Sequence, residues 1–582
     1  MTVLKLINNK FTVVIVLLLF AILATSFVFF SPDNQVAGES EKAYFKRSSI
    51  CAPIGRIERE IECFMQPLAV KMEATWTNHM NISATEEAKV FFNQGMLQLY
   101  GFNHLEAEQS FKEGIRLDPD CAMCYWGVAL SLGPNINVPM PDAQVEDAFK
   151  YTILAKEKSK LVSEKEKALI LALRHRYVSV TLEDRSELDV AYAEEMKYIA
   201  SRYREDLDVL TLYAESLMDL MPWNYWEEDN SPKPETREVQ ALLDYIIEKD
   251  PDHPGANHYY IHLTEAVHPK LALASADRLT ELAYPFGHLI HMPSHIYIRV
   301  GRFNDALLAN ERAIIADEHY IMESNAQGVY PALYYPHNIH FLWFTAAMQG
   351  SSEKAIEASR KLDDKVPYAM AAAVPMIELF KPIEILTLLR FGKWDEVLET
   401  SAPDPGFLYS TNMWHYAWGM AFAKKGKLGK AKEQLAILEK GLHNEKLREQ
   451  DDPQFPTILN TEIAINILNA EINGQEGRGD KKVEFLTKAV TAQDELIYME
   501  PPLFYYEVRQ SLGAALLKNE DFQKAEKVFK EELDEFPSNG WSLKGLHQSL
   551  IAQGKMDQAS KIEKEFEEAW KYADVQLENA VF

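Results

Sequence analysis

Residues 91–119 read FFNQGMLQLYGFNHLEAEQSFKEGIRLDP, and residues 511–539 read SLGAALLKNEDFQKAEKVFKEELDEFPSN. In the first stretch Gly95, Ala107, Phe111 and Pro119 follow one another at intervals of 12, 4 and 8. In the second, Gly513, Ala525, Phe529 and Pro537 repeat those intervals. Gly419, Ala431 and Leu435 repeat the 12 and the 4, and Ala559 follows Ala525 by 34. A small residue in one helix lets a second helix approach closely. Four residues is about one helical turn, so the alanine and the large apolar residue share a face that packs back on the first helix. Proline suits the turn that closes the unit and the start of the next helix.

A helical unit with a period near 34 resembles the tetratricopeptide repeat family. Weaker copies are MWHYAWGMAFAKKGKLGKAKEQLAIL (413–438) and IYIRVGRFNDALLANERAI (296–314). The resemblance implies an all-α, tetratricopeptide-like solenoid of antiparallel helix pairs. It also implies a scaffold that binds protein or peptide partners. Repeats this degenerate are specific for architecture and nearly silent on chemistry, so the role must be argued from a site.

With 582 residues the chain is too long for one compact core. It carries 60 Lys and Arg against 87 Asp and Glu, a net charge of −27, which makes nucleic acid a poor expected partner. Lys5 and Lys10 precede an apolar, uncharged run from Phe11 to Phe30, and Asp33, Glu39 and Glu41 come after it. About 20 such residues can cross a bilayer, and the charge order places residues 31–582 outside the cytoplasm, periplasmic or extracellular. The expected plan is a cytoplasmic end at 1–10, a signal anchor at 11–30, and a linker with a helical cap at 31–85. Helical repeats are expected at 86–250, His-rich repeats at 251–350, and further repeats at 351–575.

Ten of the 16 histidines lie between His253 and His340. His258/His262 and His291/His295 share a spacing of four, and the second pair trails the first by 33; His337/His340 form a third pair. Glu265 continues the first pair on the same helix side. Imidazoles repeated at the period of the fold are expected to reach one cavity from neighbouring helices. Neutral imidazole ligates Zn and Cu readily. The predicted metal set is therefore His258, His262, His291, His295, His337, His340 and Glu265, with copper or zinc as the cofactor. A polar groove for a non-metal ligand and plain packing are the two other readings. Pro293 is expected within the first turn of its helix; if it begins the helix, the His291/His295 pair should loosen. His253, His268 and His288 fall outside the pairs, and His104 should cap or pack in a turn.

Two interruptions of the repeats read as loops able to lid a pocket: Met221-Pro-Trp-Asn-Tyr-Trp226, with Trp223 and Trp226 as groove aromatics, and Glu318 to Pro336. Cys51 and Cys63 are placed to close a short disulfide loop. Cys121 and Cys124 fit a disulfide, a pair of buried thiols, a redox pair or a metal pair. The sequence holds no GxSxG elbow, P-loop, GxGxxG or HExxH motif.

Overall fold

The computed structural model describes residues 68–72 and 80–582, apart from 283 and 327. The expected membrane anchor at 11–30, and Cys51 and Cys63, lie outside the described residues. Among those described, helices account for the regular structure. The β-type contacts are two isolated bridges, Trp226 to Pro232 and Asp452 to Phe455. No described helix is long and apolar enough to cross a membrane.

The chain forms two compact units. The first takes in residues up to Leu263, with short returns at Ala283–Pro285 and His319–Gly328. Its opening pair is Glu86–Tyr100, capped by the Thr85 hydroxyl, and His104–Leu117. Ala122–Ser131 packs next to this pair. Phe111 is fully buried between them at two glycines. A Cβ on Gly95 would come within 2.7 Å of its ring, and one on Gly127 within 2.4 Å. The paired glycines stand sixteen residues before and sixteen after the phenylalanine.

The second unit comprises Thr264–Leu282, Phe286–Glu318 and Val329–Phe582. It uses the same wedge. Phe529, on Phe522–Glu535, is buried against Gly513 of Val508–Lys518 and Gly545 of Gly540–Ala552, again at offsets of sixteen. A Cβ at either glycine would lie within 2.4 Å of the ring. The expected 12-4-8 spacing thus describes half of the device; the second glycine lies in the next helix.

Several local expectations are corrected. Glu265 does not lie on the first His helix, which ends at Thr264. His104 begins a helix rather than sitting in a turn, and burial holds its imidazole down to about 4. The segment from Glu318 to Pro336 is not an open loop. The helix Phe303–Ser324 runs into it, and a π-helical turn at Tyr330–Tyr334 leads directly into Tyr335–Met348. Of the readings open for Cys121 and Cys124, the disulfide is the one observed: they are bonded and buried at the start of Ala122–Ser131.

Candidate metal centre

In the second unit the segment that bears His291 and His295 folds as two short helices, Gly287–His291 and Pro293–Arg299. Pro293 begins the second helix because it has no N–H to offer the ladder. The pair does not loosen, however. Met292 keeps right-handed helical backbone (φ −48°, ψ −38°), so His291 and His295 remain one turn apart. Their ring centroids lie 4.7 Å apart and their Nε2 atoms 2.8 Å apart.

Tyr335–Met348 supplies His337, whose ring stands 4.9 Å from His291 and 5.7 Å from His295. One nitrogen from each of the three rings can be chosen so that all lie within 4.8 Å of one another. Phe341, one turn beyond His337, packs 4.6–4.9 Å from all three rings. His291 and His295 are buried, and His337 is half-buried, so the cluster is open on that side.

The outer hydrogen bonds fix which nitrogen is available. Asn310 donates its amide nitrogen to the Ala306 carbonyl at 2.7 Å. Its Oδ1, 2.7 Å from His291 Nδ1, can then only accept. His291 therefore carries its proton on Nδ1 and a lone pair on Nε2. On His295, Nδ1 lies 2.7 Å from Glu265 Oε2 and 2.8 Å from Glu500 Oε2. Carboxylates accept, so this nitrogen also bears the proton. Burial alone would lower the His295 pKa, but the two carboxylates overcome it and hold the imidazole at about 10. Burial raises Glu500 in turn, and His295 and Arg299 pull it back. Glu500 also accepts from the Tyr498 hydroxyl.

One buried carboxylate ties the His-bearing elements together. Asp317 accepts from the Gly287 N–H at 2.6 Å, the Tyr330 hydroxyl at 2.7 Å and the Asn338 amide at 2.7 Å. Gly287 opens the helix that carries His291, and Asn338 adjoins His337. A Cβ at Gly287 would meet the Asp317 carboxylate and the Ala313 carbonyl, both at 2.4 Å, so only glycine fits there. Burial lifts Asp317 to about 7. His288 donates its backbone N–H to Tyr330 at 3.0 Å and packs against the Tyr334 ring.

His340 is not part of this cluster. His340 stacks on Trp343 at 5.1 Å with Phe380 across its edge, and burial alone depresses it to about 3. His258 and His262 belong to the first unit. His258 Nδ1 lies 2.5 Å from the Tyr100 carbonyl, with Phe102 against its ring. Trp223 meets His262 edge-on at 5.1 Å, and Trp226 donates to the Leu263 carbonyl at 2.8 Å. His253 accepts from the Ala256 N–H, a packing role. His268 precedes the short 3-10 turn Pro269–Ala272.

Sequence reading missed Glu500, Asn310, Asp317 and Phe341. Asn310 lies inside the weak repeat copy at 296–314, and Phe341 stands one turn beyond His337, so both had a local signal. Glu500 reaches His295 across 205 residues of chain, and no local periodicity announces it.

No protein-family model and no curated protein matches the chain. Among solved structures it is similar to the Cut9–Hcn1 hetero-tetramer of APC/C, at 13% identity and a TM-score of 0.29, covering 85% of this chain and 78% of that one. It is similar also to the human IFIT1 dimer with m7Gppp-AAAA (12%, 0.31, covering 85% and 96%). A third likeness is to the TPR domain of P58(IPK) (11%, 0.21, covering 81% and 99%). The tetratricopeptide-like architecture stands on the chain's own helix pairs and their Gly–Phe–Gly wedges.

Proposed function

We propose that this chain is a helical-repeat metalloprotein whose second unit holds one transition-metal ion through His291, His295 and His337. One observation carries the reading. Two imidazoles have their Nδ1 protons committed to outer acceptors; without a metal the protonated His295 donates its Nε2–H to His291 Nε2 at 2.8 Å, and a bound ion would take that proton's place between the two nitrogens. Two ligand bonds of about 2.0–2.1 Å at the right angle of a tetragonal Cu(II) site place donors about 2.9 Å apart, whereas the tetrahedral angle of zinc would need about 3.3 Å and a small outward shift of the rings. Imidazoles oriented from behind by Asn310 and by Glu265 with Glu500 follow the pattern of metal-binding histidines, in which the outer partner fixes tautomer and raises basicity. All-nitrogen ligation favours zinc or copper over magnesium or calcium.

Three protein ligands with a half-open side leave a position for water or a bound molecule, as reactive metal sites do. When bound, the metal would supply Lewis acidity or electron transfer there. The chain's own part is to hold the rings, exclude water with Phe341 and fix the protons on Nδ1. Loading of the purified full chain with Zn(II), Cu(II) or Co(II), then dialysis and elemental analysis, tests this. One equivalent should be retained, and His291→Ala with His295→Ala should abolish retention while the helical circular dichroism persists. Failure of every metal to remain at stoichiometry ends the proposal.

The repeat surface supports a second, compatible reading: a scaffold for a protein or peptide partner, anchored by the apolar run at 11–30 and facing an extracytoplasmic compartment. The Cys121–Cys124 disulfide suits such an oxidising location. A pull-down that survives chelation, with the chain in the membrane fraction, would favour it. Partner loss on chelation would make the metal part of the interface.

A further inference from the structure

In the second unit, the helices Ile383–Arg390, Leu408–Lys424, Thr457–Gln475, Gly479–Gln493 and Val508–Lys518 border a cavity of about 520 Å³. It shares no lining residue with the histidine centre. Cavities of roughly 300–1,000 Å³ hold small molecules.

Its charge runs against that of the protein. The chain has 27 more acidic than basic side chains, yet this cavity is lined by Arg390, Lys424, Lys482 and Lys518 against the single side-chain carboxylate Glu471. Glu471 is shared: Lys482 Nζ lies 2.8 Å from one oxygen and Lys424 Nζ 3.4 Å from the other. Those ammoniums hold Glu471 at about 2 despite its burial. Arg390 is met by Glu507 and Glu532 from outside the cavity, so the excess of cation lies on the lysines. Lys424 stays below the usual lysine range, first by burial and then by repulsion from Lys482 and Lys518, although Glu471 opposes this. Arg390 is buried, its guanidinium 3.7 Å from the Trp541 ring centre and its Nη2 donating to Gln510.

Like charges converging beside an apolar wall are unfavourable in the free protein, and an anion relieves them. The rest of the lining is that wall: Trp394, Met420, Ile467, Leu486 and Tyr505 contribute ring and aliphatic surface. The position of an anionic oxygen is already marked. A main-chain oxygen of Phe582, which as the last residue of the sequence carries a carboxylate, accepts from Lys424 Nζ at 2.9 Å at the edge of the cavity.

We propose that this cavity is a binding site for a small organic carboxylate, its acid group set among Lys424, Lys482 and Lys518 and its apolar body laid on the aromatic and aliphatic wall. The reading is independent of the histidine centre. Charge and wall make separate demands, so neither bare phosphate nor a neutral apolar amide should satisfy the site.

Calorimetric titration of the full chain with 3-phenylpropanoate and octanoate tests it, with 3-phenylpropanamide and inorganic phosphate as controls. At least one acid should bind saturably at one site, and at least tenfold more tightly than the amide and the phosphate. Lys518→Glu, an exposed change, should weaken the acid at least tenfold with an unchanged melting temperature. Lys482→Gln should act in the same direction. Phe582→Gly, which trims the occupant at the edge, should leave affinity equal or raise it. Absence of saturable acid binding in both the parent and Phe582→Gly overturns the proposal. So does equal binding of acid and amide, equal binding of acid and phosphate, or parent-like affinity in both lysine variants.

Discussion

Two neighbourhoods of the second unit put the helix-pair plan to opposite uses. Around Phe529 the plan is apolar and close. Two glycines admit one ring, and the helices on either side run uninterrupted for at least 11 residues. Around His295 the helix is broken at Pro293, and the buried space is filled by imidazoles, two glutamates, an asparagine and an aspartate. Burying such groups costs stability unless each finds a partner. The contrast teaches that the repeat supplies rigidity where it follows its own spacing, and can host polar chemistry where it departs from it.

The sharpest way to break that comparison is to remove the wedge. Phe529→Ala should destabilise the unit by about 3–5 kcal/mol, the range for deleting a buried aromatic ring, read as a lower denaturant midpoint. A loss below about 1 kcal/mol would mean that the glycine contacts do not bind the repeats together. The polar neighbourhood should respond in metal retention instead. Exchange of Glu500 for Gln keeps the shape but removes a charged acceptor from His295. Competition with a chromophoric chelator should show metal affinity falling 10–100-fold, the usual effect of losing an outer partner. Unchanged affinity would reduce Glu500 to packing. Asp317→Asn should act similarly but less strongly, because it holds Gly287 and Asn338 rather than a ring.

His340 provides a control between the two neighbourhoods. Burial lowers its folded-state pKa to about 3, below the ordinary value of about 6.5. The unfolded chain therefore binds this proton more readily. Its contribution is fully present above pH 6.5 and is lost as pH falls toward 3, by up to roughly 1.4 kcal/mol per pH unit. Replacement by Leu should flatten that part of the stability profile and leave metal retention intact. A steeper profile, or loss of metal, would show that His340 belongs with His337 after all.

Much of the architecture was legible because the wedge is written locally. Gly95, Ala107 and Phe111 fix a helix pair within seventeen residues, and Gly513, Ala525 and Phe529 do so again. The site was legible only in part. His291 and His295 were visible because a helical turn brings them together, and His337 because it opens a helix. Glu500 was invisible, since its approach to His295 is a product of tertiary folding. Spacing also misled. His340 stands three residues from His337, but Trp343 and Phe380 claim its ring. The stretch before Tyr335 looked like a loop because it interrupts the repeats, and Pro331 stands within it. A π-helical turn tolerates that proline in its first residues, where no ladder N–H is required.

The sixteen-residue offset has a bearing on how such a chain can be cut or lengthened. Phe529 is held by a glycine of its own helix pair and by another in the next, so the stable module straddles two pairs. A truncation after Glu535 would keep every residue of the pair that ends there and still strip one side of the ring that holds it. Grafting a foreign pair in that place would succeed only if its first helix presented a glycine at the matching position. Exchangeable segments are thus bounded at the aromatic residue, midway through a helix, and not at the turns where the eye would divide them.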